Sequence, residues 1–329
     1  MVTVSVITPA YNAERTIQET VESVLAQTFT DFEFIIINDG STDATLEVVD
    51  RFSDPRLQVF TFDNSGPQKS RNRGISRASG QYISFIDADD LWTPDKLELQ
   101  LKVLKQNPAA SVVYSWTNVI NERGELHRRG GHLTPKGDVF IDLLLNNFVE
   151  SGSNLLAYTE AICSIGGFDE KMVAGQDLDI LLSLSAQYDF DVVPKVQVLY
   201  RKSRETKSWS SSILRARAGI DQVLAKHLSE REDLKEYRKA CIGNLYKYLI
   251  FECLSNSPSR EKGWYSFQLL WVVLINDNSL ITKKVFFKIC LRIMATALLP
   301  PTASSWLASK YSYFFDINSL YGYLKTERI

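Results

Sequence analysis

The first 110 residues alternate short apolar segments with amphipathic segments, and short polar turns separate them. Between the apolar segments, hydrophobic residues recur at helical spacing, as at Ile17, Val21 and Val24. Strands that alternate with helices in this way form a parallel sheet covered by helices. We therefore predict an α/β, Rossmann-like fold with a mostly parallel central sheet. The predicted strands of this region are Val2–Ile7, Phe32–Ile37, Arg56–Phe60 and Tyr82–Ile86.

Local signals predict where several elements begin. Asn12 is expected to cap the first helix. Thr93 and Pro94 are expected to open a later helix, because proline suits the first helical position. The polar, glycine-containing segment Asn121–Pro135 predicts a hairpin or a mobile loop. Val192–Tyr200 is predicted to be the last strand.

The character of the chain changes beyond Arg201. A polar stretch leads into long helical patterns over Ile213–Leu228 and Leu234–Leu254. We therefore predict two regions, an α/β region over residues 1–210 and a mainly helical region over residues 211–329.

Composition limits the classes of protein to consider. A net charge of −2 and a pI near 6.0 give no bulk electrostatic reason to expect a nucleic-acid partner. The four cysteines are widely spaced in apolar sequence, which predicts reduced, buried thiols. The chain starts directly with a predicted strand and has no apolar run of roughly 18 residues, so we expect a cytoplasmic protein without a spanning segment.

Three carboxylates follow the fourth predicted strand within four residues, at Asp87, Asp89 and Asp90. Carboxylates this close together repel one another and resist desolvation, so a bound cation would explain them. The alternative is an acidic helix N-terminus, since Leu91 to Pro94 are expected to open a helix. The segment alone does not decide between the two.

Polar residues also follow other strands. Asp39 comes after the second strand, where a carboxylate could accept a hydrogen bond from a nucleotide base, or could cap a helix. Arg71 lies on a predicted helix facing the same sheet edge. Its guanidinium could pair with a phosphate, or with Asp87 as a structural ion pair.

Five motifs in this order give the chain a family resemblance. They are Thr8-Pro9-Ala10-Tyr11-Asn12, Asn38-Asp39-Gly40-Ser41-Thr42-Asp43, Asn64-x-Gly66 with Ser70-Arg71-Asn72-x-Gly74, Asp87-Ala88-Asp89-Asp90, and Gly166-Gly167-Phe168-Asp169-Glu170 with Gly175-Gln176-Asp177-Leu178-Asp179. Over about residues 1–210 the chain resembles the family 2 glycosyltransferases of GT-A fold.

The resemblance implies a nucleotide-sugar donor, usually a UDP-sugar. Residues at five positions would contact the nucleotide: Pro9, Tyr11, Asp39, Arg71 and Asp87. Asp87 would be the first acid of the family's DxD motif, near the ribose. Asp89 would ligate a divalent cation, Mn²⁺ or Mg²⁺, on the diphosphate, and both ions prefer oxygen ligands.

The resemblance also assigns a role to Asp177. It would be the general base of an inverting transfer, taking the proton from the acceptor hydroxyl as that hydroxyl attacks the sugar. Without the resemblance, Asp177 and Asp179 would be interpreted as an exposed helix face. The implied acceptor is a glycan or lipid-linked sugar of the cell surface. A catalytically silent nucleotide- or glycan-binding homologue is the alternative.

Two departures from the family pattern bear on the site. Gln176 stands where a glutamate usually precedes the catalytic aspartate. No histidine occurs in Tyr200–Ser208, where many relatives have a metal ligand, so Glu205 is a substitute candidate. The basic residues of this segment could hold the diphosphate or form a solvated charge run. They are Arg201, Lys202, Arg204 and Lys207.

The C-terminal region carries aromatic residues near lysines. It could pack on the catalytic region, dimerise, or contact an anionic membrane. The membrane interpretation depends on Trp264, Trp271, Phe286, Phe287 and Trp306, with Lys283, Lys284 and Lys288 nearby. The oligomeric state does not follow from the sequence.

Overall fold

The computed structural model describes residues 2–202, 213–229, 231–255 and 258–326. The candidates Arg204, Glu205 and Lys207 lie outside the described residues. The chain divides into two compact units. The first comprises residues 1–143, 147–172 and 176–206, and the second comprises residues 144–146, 173–175 and 207–329.

The strands of the described residues all belong to one sheet in the first unit. They are β1 (Val4–Ala10), β2 (Phe32–Asn38), β3 (Leu57–Thr61), β4 (Tyr82–Phe85), β5 (Leu91–Trp92), β6 (Ala110–Ile120), β7 (Leu126–Arg129), β8 (Leu156–Tyr158) and β9 (Asp189–Arg201).

The helices before residue 200 are α1 (Ile17–Leu25), α2 (Thr45–Val49), α3 (Pro67–Ile75), α4 (Lys96–Gln106), α5 (Phe140–Leu145), α6 (Thr159–Ser164) and α7 (Gln176–Ser185). Those that follow are α8 (Ile213–Leu228), α9 (Arg238–Ser255), α10 (Arg260–Asn276), α11 (Lys284–Leu298), α12 (Pro301–Lys310) and α13 (Ser312–Phe315). Short 3₁₀ turns occupy Glu232–Leu234, Asn278–Thr282 and Asn318–Tyr323.

The strand order is β3-β2-β1-β4-β8-β6-β9-β5, and β7 pairs with β6. The long pairings are parallel, namely β1 with β2 and β4, β2 with β3, and β6 with β9. The shorter β5, β7 and β8 pair antiparallel. The α/β class with a mostly parallel sheet is therefore confirmed.

Helices bury the faces of the central strands. The apolar stripe of α1, which contains Ile17, Val21 and Val24, packs in the core with residues of β1 and β2. Burying each such side chain contributes about 1.5–3 kcal/mol. Helix α3 lies close to β1, because a Cβ on Gly74 would come within 2.3 Å of the Ile7 side chain. A glycine at this position therefore allows α3 to pack directly on β1.

Two predicted helix starts are wrong. Asn12 does not cap α1, which begins at Ile17; instead its Oδ1 accepts a hydrogen bond from the Thr42 backbone N at 2.8 Å. Leu91 and Trp92 form strand β5 against β9, so α4 begins only at Lys96. In both cases contacts with distant residues, Thr42 for Asn12 and β9 for Leu91 and Trp92, override the local signal.

The polar segment after β6 forms a hairpin, the first of the two predicted alternatives. Strand β7 pairs antiparallel with β6, and Gly124 in the turn has a φ of +76°. The last strand is longer than predicted, because β9 begins at Asp189 and ends at Arg201.

The second unit is helical, as the sequence predicts for this region. Its core includes Leu249 and Leu269, from α9 and α10. A buried ion pair joins Lys247 of α9 to Asp277, with 2.7 Å between Nζ and Oδ2. No helix among the described residues is both long enough and apolar enough to cross a bilayer.

The four cysteines are free thiols. Cys241 and Cys253 are buried, as predicted, and Cys290 is partly buried. Cys163 is exposed, so the prediction of buried thiols is wrong at that position.

Candidate active site

The predicted site residues Pro9, Asp39 and Asp87 lie at one edge of the sheet. In the parallel register Ala10 pairs with Asn38, and Ile7 pairs with Phe85, so the carboxyl ends of β1, β2 and β4 are adjacent. This edge is where ligands bind in open α/β sheets. Tyr11 follows β1 at the same edge and is half exposed, which leaves its ring available for contact with a ligand.

Asp39 is buried and organises the start of α3. Its carboxylate accepts hydrogen bonds from the backbone N of Ser65 at 3.0 Å and from that of Gly66 at 2.8 Å. Arg73 of α3 lies 3.3 Å from the same carboxylate. The sequence left two alternatives for Asp39, a contact with a nucleotide base and a helix cap. In the structure its hydrogen bonds hold the turn that precedes α3, in which Gly66 has a φ of +94°.

Arg71 brings two distant motifs together. Its Nη2 lies 2.5 Å from Asp87 Oδ1, and 3.9 Å from Asp177 Oδ1. The guanidinium stacks over the ring of Phe168, 5.1 Å from its centre. The structural ion pair with Asp87, one of the alternatives for Arg71, is therefore present. Asp177 is the second residue of α7, where a carboxylate is favoured by the helix dipole.

Helix α3 also holds the loop that carries Phe168. Asn72 Oδ1 accepts a hydrogen bond from the Phe168 backbone N at 2.9 Å, and its Nδ2 donates to the Phe168 carbonyl at 2.9 Å. Nδ2 also lies 3.0 Å from Glu170 Oε1. The motif around Arg71 and the Gly-Gly-Phe-Asp-Glu motif are thus joined directly by side-chain contacts.

Several polar atoms at this point have no hydrogen-bond partner in the described part of the chain. Nε and Nη1 of Arg71 and Oδ1 of Asp177 are buried and unpartnered. Buried polar atoms are normally satisfied, so unpaired donors beside an unpaired acceptor are the pattern of a site that awaits a polar ligand. Burial raises the pKa of Asp177, the Arg71 charge opposes this, and Asp87 adds to it. The net rise makes Asp177 a stronger proton acceptor once it is ionised.

Asp90 is not a helix cap. It is fully buried, and its carboxylate accepts hydrogen bonds from Ser153 Oγ at 2.5 Å and from the Arg201 backbone N at 2.9 Å. Burial and the charges of Asp89 and Asp87 raise its pKa well above the usual value. The cap alternative is therefore wrong, because α4 begins six residues later, at Lys96.

Asp89 remains partly exposed between these residues. Burial, and then the neighbouring charge of Asp87, raise its pKa to about 7. Incompletely neutralised carboxylates of this kind suit a divalent cation, which prefers oxygen ligands. Among the described residues no three acidic, histidine or cysteine side chains form a metal-binding group.

Arg201 supports the acidic loop from β9. Its Nε donates to the Asp89 carbonyl at 2.8 Å, its Nη1 donates to the Glu122 carbonyl at 2.9 Å, and its Nη2 pairs with Glu19. The side chain is buried. These bonds give Arg201 a structural role, in contrast to the diphosphate contact considered for it from the sequence.

The segment Ser151–Asn154 is a part of the site that sequence reasoning missed. Ser153 Oγ accepts a hydrogen bond from the Asp87 backbone N at 2.9 Å while donating to Asp90. Gly152 lies against Asp177, since a Cβ there would be 2.5 Å from Asp177 Oδ1. The only signal was a run of small polar residues directly before the apolar segment of β8.

A buried lysine lies behind this loop. Lys96 Nζ donates to Ser84 Oγ at 3.1 Å and to Gln100 Oε1 at 2.9 Å, and lies 4.0 Å from the centre of the Trp92 ring. Burial lowers its pKa well below the usual value. The Trp92 indole in turn donates to the Ser153 carbonyl at 2.8 Å. The lysine thus packs against the residue that supports the loop.

Known proteins resemble this chain in sequence and in fold. The profile of the family described as Glycosyltransferase like family 2 matches residues 5–241. Hyaluronan synthase of Pasteurella multocida is 30% identical over 258 residues, which cover 74% of this chain and 26% of that protein. The UDP-Glc:alpha-D-GlcNAc-diphosphoundecaprenol beta-1,3-glucosyltransferase WfgD of Escherichia coli is 36% identical over 144 residues, which cover 44% of this chain and 55% of that protein.

The chain spans between about a fifth and just over half of the length of the curated relatives it matches. Among solved structures, that of S. aureus TarS 1–349 in complex with UDP-GlcNAc superposes with a TM-score of 0.54 at 20% identity, covering 83% of this chain and 89% of that one. This likeness confirms the GT-A type of fold. Because the family profile matches well over half of its residues, the chain belongs to glycosyltransferase-like family 2.

Proposed function

We propose that the protein is an inverting glycosyltransferase that moves a single sugar from a UDP-sugar to an acceptor hydroxyl. The observation that carries the proposal is the placement of Arg71 between Asp87 and Asp177, at 2.5 and 3.9 Å. It puts the proposed nucleotide-side carboxylate and the proposed base on either side of one cation. A donor held by Asp87 would then present its sugar to an acceptor hydroxyl, and Asp177 would take the proton of that hydroxyl as it attacks.

Asp177 is the proposed general base. Among the residues that the structure describes, its Oδ1 has no hydrogen-bond partner, so it can accept the proton of an acceptor hydroxyl. Its raised pKa increases its basicity, and the nearby Arg71 charge favours its ionised form. The transfer is a direct displacement, so no covalent bond between sugar and protein is required.

The nucleotide would lie along the sheet edge formed by Pro9, Tyr11 and Asp39. A divalent cation, Mn²⁺ or Mg²⁺, fits beside Asp89, whose carboxylate is partly exposed and has a raised pKa. When bound, such an ion neutralises charge on the leaving diphosphate. Arg71 and Asp87 then orient the nucleotide end of the donor.

The relatives support the donor and acceptor classes. The TarS structure contains UDP-GlcNAc, and WfgD is named for a UDP-glucose donor and a diphosphoundecaprenol-linked acceptor. We therefore assign to this chain a UDP-sugar donor and a glycan or lipid-linked acceptor in the synthesis of a surface polysaccharide or glycolipid.

A donor screen with purified protein and Mn²⁺ tests the proposal. Turnover of at least one UDP-sugar is expected, and Asp177→Asn should lower the rate by at least about 10²-fold while UDP binding is retained. Asp50→Asn, an exposed carboxylate at the end of α2, is the matched control and should leave the rate unchanged. Loss of UDP binding in Asp177→Asn would contradict the assigned role.

Gln176 favours one second candidate, a nucleotide-binding protein without transferase activity. The glutamine replaces an acidic residue directly before the proposed base. Binding of UDP without turnover of any donor in the screen, with lipid-linked and free glycan acceptors present, would support this candidate over the transferase.

A further inference from the structure

Two adjacent helices of the second unit expose large apolar side chains to solvent. The eight residues concerned are between 38% and 68% exposed. On each helix they recur every three or four positions, so they form one stripe. They are Trp264, Phe267, Trp271 and Ile275 on α10, and Phe287, Leu291, Met294 and Leu298 on α11.

The two stripes lie side by side. Gly263 near the start of α10 touches Ala297 near the end of α11, where an added Cβ would be 2.4 Å from the Ala297 backbone N. The helices are therefore antiparallel neighbours at close approach. Their opposite sides are buried, for example at Val273 and Ile289. We call the outward surface made by the eight residues the α10–α11 face.

An apolar outward surface is unusual for helices in water. The exposed side of a surface helix normally carries polar residues, and a contiguous apolar patch of this kind marks an interaction surface. Single exposed hydrophobic residues need no explanation, but two complete stripes do.

The charges on α11 and in the segment that follows it are of one sign, whereas α10 begins with one exposed residue of each sign, Arg260 and Glu261. Residues 278–315 contain five basic residues and no aspartate or glutamate, although the whole chain has a net charge of −2. Lys283 and Lys284 are exposed at the start of α11. Lys288 lies 4.8 Å from the Tyr313 ring centre, and Lys310 lies 4.6 Å from that of Trp306. The remaining basic residue, Arg292, is partly buried and donates to the Leu254 carbonyl of α9, so it is not part of this face.

Exposed tryptophan and phenylalanine beside lysines match the chemistry of an anionic bilayer surface. Aromatic side chains favour the boundary between headgroups and acyl chains, and lysines favour anionic headgroups. We propose that the α10–α11 face docks on an anionic phospholipid bilayer, with both helices lying in the plane of the interface. A second copy is a poorer occupant, because it would bring two basic surfaces together.

Flotation of the full chain with vesicles tests this proposal. The protein should float with vesicles of phosphatidylglycerol and phosphatidylcholine, and much less with phosphatidylcholine alone or at raised ionic strength. Trp271→Ser combined with Phe287→Ser should lower the bound fraction roughly tenfold. Leu126→Ser is the matched control: it removes an apolar side chain of similar exposure from β7 and should float as the wild type does.

A second variant isolates the electrostatic contribution. Lys283→Gln with Lys284→Gln should weaken flotation with anionic vesicles several-fold and leave the phosphatidylcholine result unchanged. UDP binding and circular dichroism on the same preparations should match the wild type, which shows that the variants fold. Failure of the wild type to float would overturn the proposal. So would equal flotation of the apolar variant, or loss of self-association in that variant without any change in flotation.

Discussion

Gly152→Ala probes how closely the proposed base is held. A Cβ at this position would lie 2.5 Å from Asp177 Oδ1 and 2.8 Å from its Cγ, whereas ordinary contact begins near 3.4 Å. The carboxylate or the loop must therefore move by about 0.9 Å, the difference between 3.4 and 2.5 Å. A displacement of about 1 Å in a reacting group can lower a rate by about 10²-fold. That corresponds to about 2.7 kcal/mol of lost transition-state stabilisation.

The assay is steady-state transfer with the donor identified in the screen, together with UDP binding by calorimetry. The catalytic constant kcat should fall by about 10²-fold. UDP affinity should change little, because Asp177 is on the acceptor side of Arg71 in the proposed mechanism. Gly131→Ala is the matched control, since its Cβ would meet nothing closer than Leu133 at 3.8 Å. A Gly152→Ala variant that keeps kcat within twofold, while remaining folded, would refute the proposed position of the base.

Three further substitutions test the charges in the structure. Arg71→Lys keeps the charge but loses the planar guanidinium that lies between two carboxylates, so kcat/KM should fall about tenfold or more in the transfer assay. In Lys96→Met the buried amine is removed. The pKa of Lys96 is lower in the folded protein than its ordinary value of 10.5, so the free energy of unfolding of the wild type rises as the pH rises towards 10.5. Urea unfolding should show that this rise is absent in the variant. Burial raises the pKa of Asp277, whereas hydrogen bonds from Lys247 and Ser279 lower it. The lowering is the larger effect, so the pKa of Asp277 lies below its usual value. Asp277→Asn should cost about 3–5 kcal/mol at neutral pH, and the difference from wild type should shrink as pH falls below 3.8, measured by thermal unfolding.

The fold and the edge at which the site lies could be predicted because both follow from local patterns. Apolar segments alternating with helical stripes predict parallel strands, and parallel strands place their carboxyl ends together. Asp39 and Asp87 could therefore be assigned to one sheet edge from the order of the strands alone. The resemblance to a family added Asp177, which its helical context alone would have assigned to a solvent-exposed face.

What the sequence missed depends on contacts between distant residues. Asp90 follows a strand and precedes a helical pattern, so a cap was a reasonable local interpretation. Its actual partners, Ser153 and Arg201, are 63 and 111 residues away. Arg201 likewise stands at the start of a basic run, yet its guanidinium binds Glu19 and two carbonyl oxygens. No local pattern encodes such partners.

The unequal distances from Arg71 to its two carboxylates suggest how the site would keep the proposed base, Asp177, available. At 2.5 Å Asp87 has the short hydrogen bond, and at 3.9 Å Asp177 has only the longer electrostatic contact. The positive charge of Arg71 therefore favours the ionised form of Asp177, while Oδ1 stays free of a direct hydrogen bond from Arg71 and could receive the proton in the proposed mechanism. A direct hydrogen bond from Arg71 would satisfy Oδ1 and lower its basicity. Asp87 thus has two roles in the proposed mechanism: it contacts the nucleotide, and it holds Arg71 at the distance at which Asp177 can act.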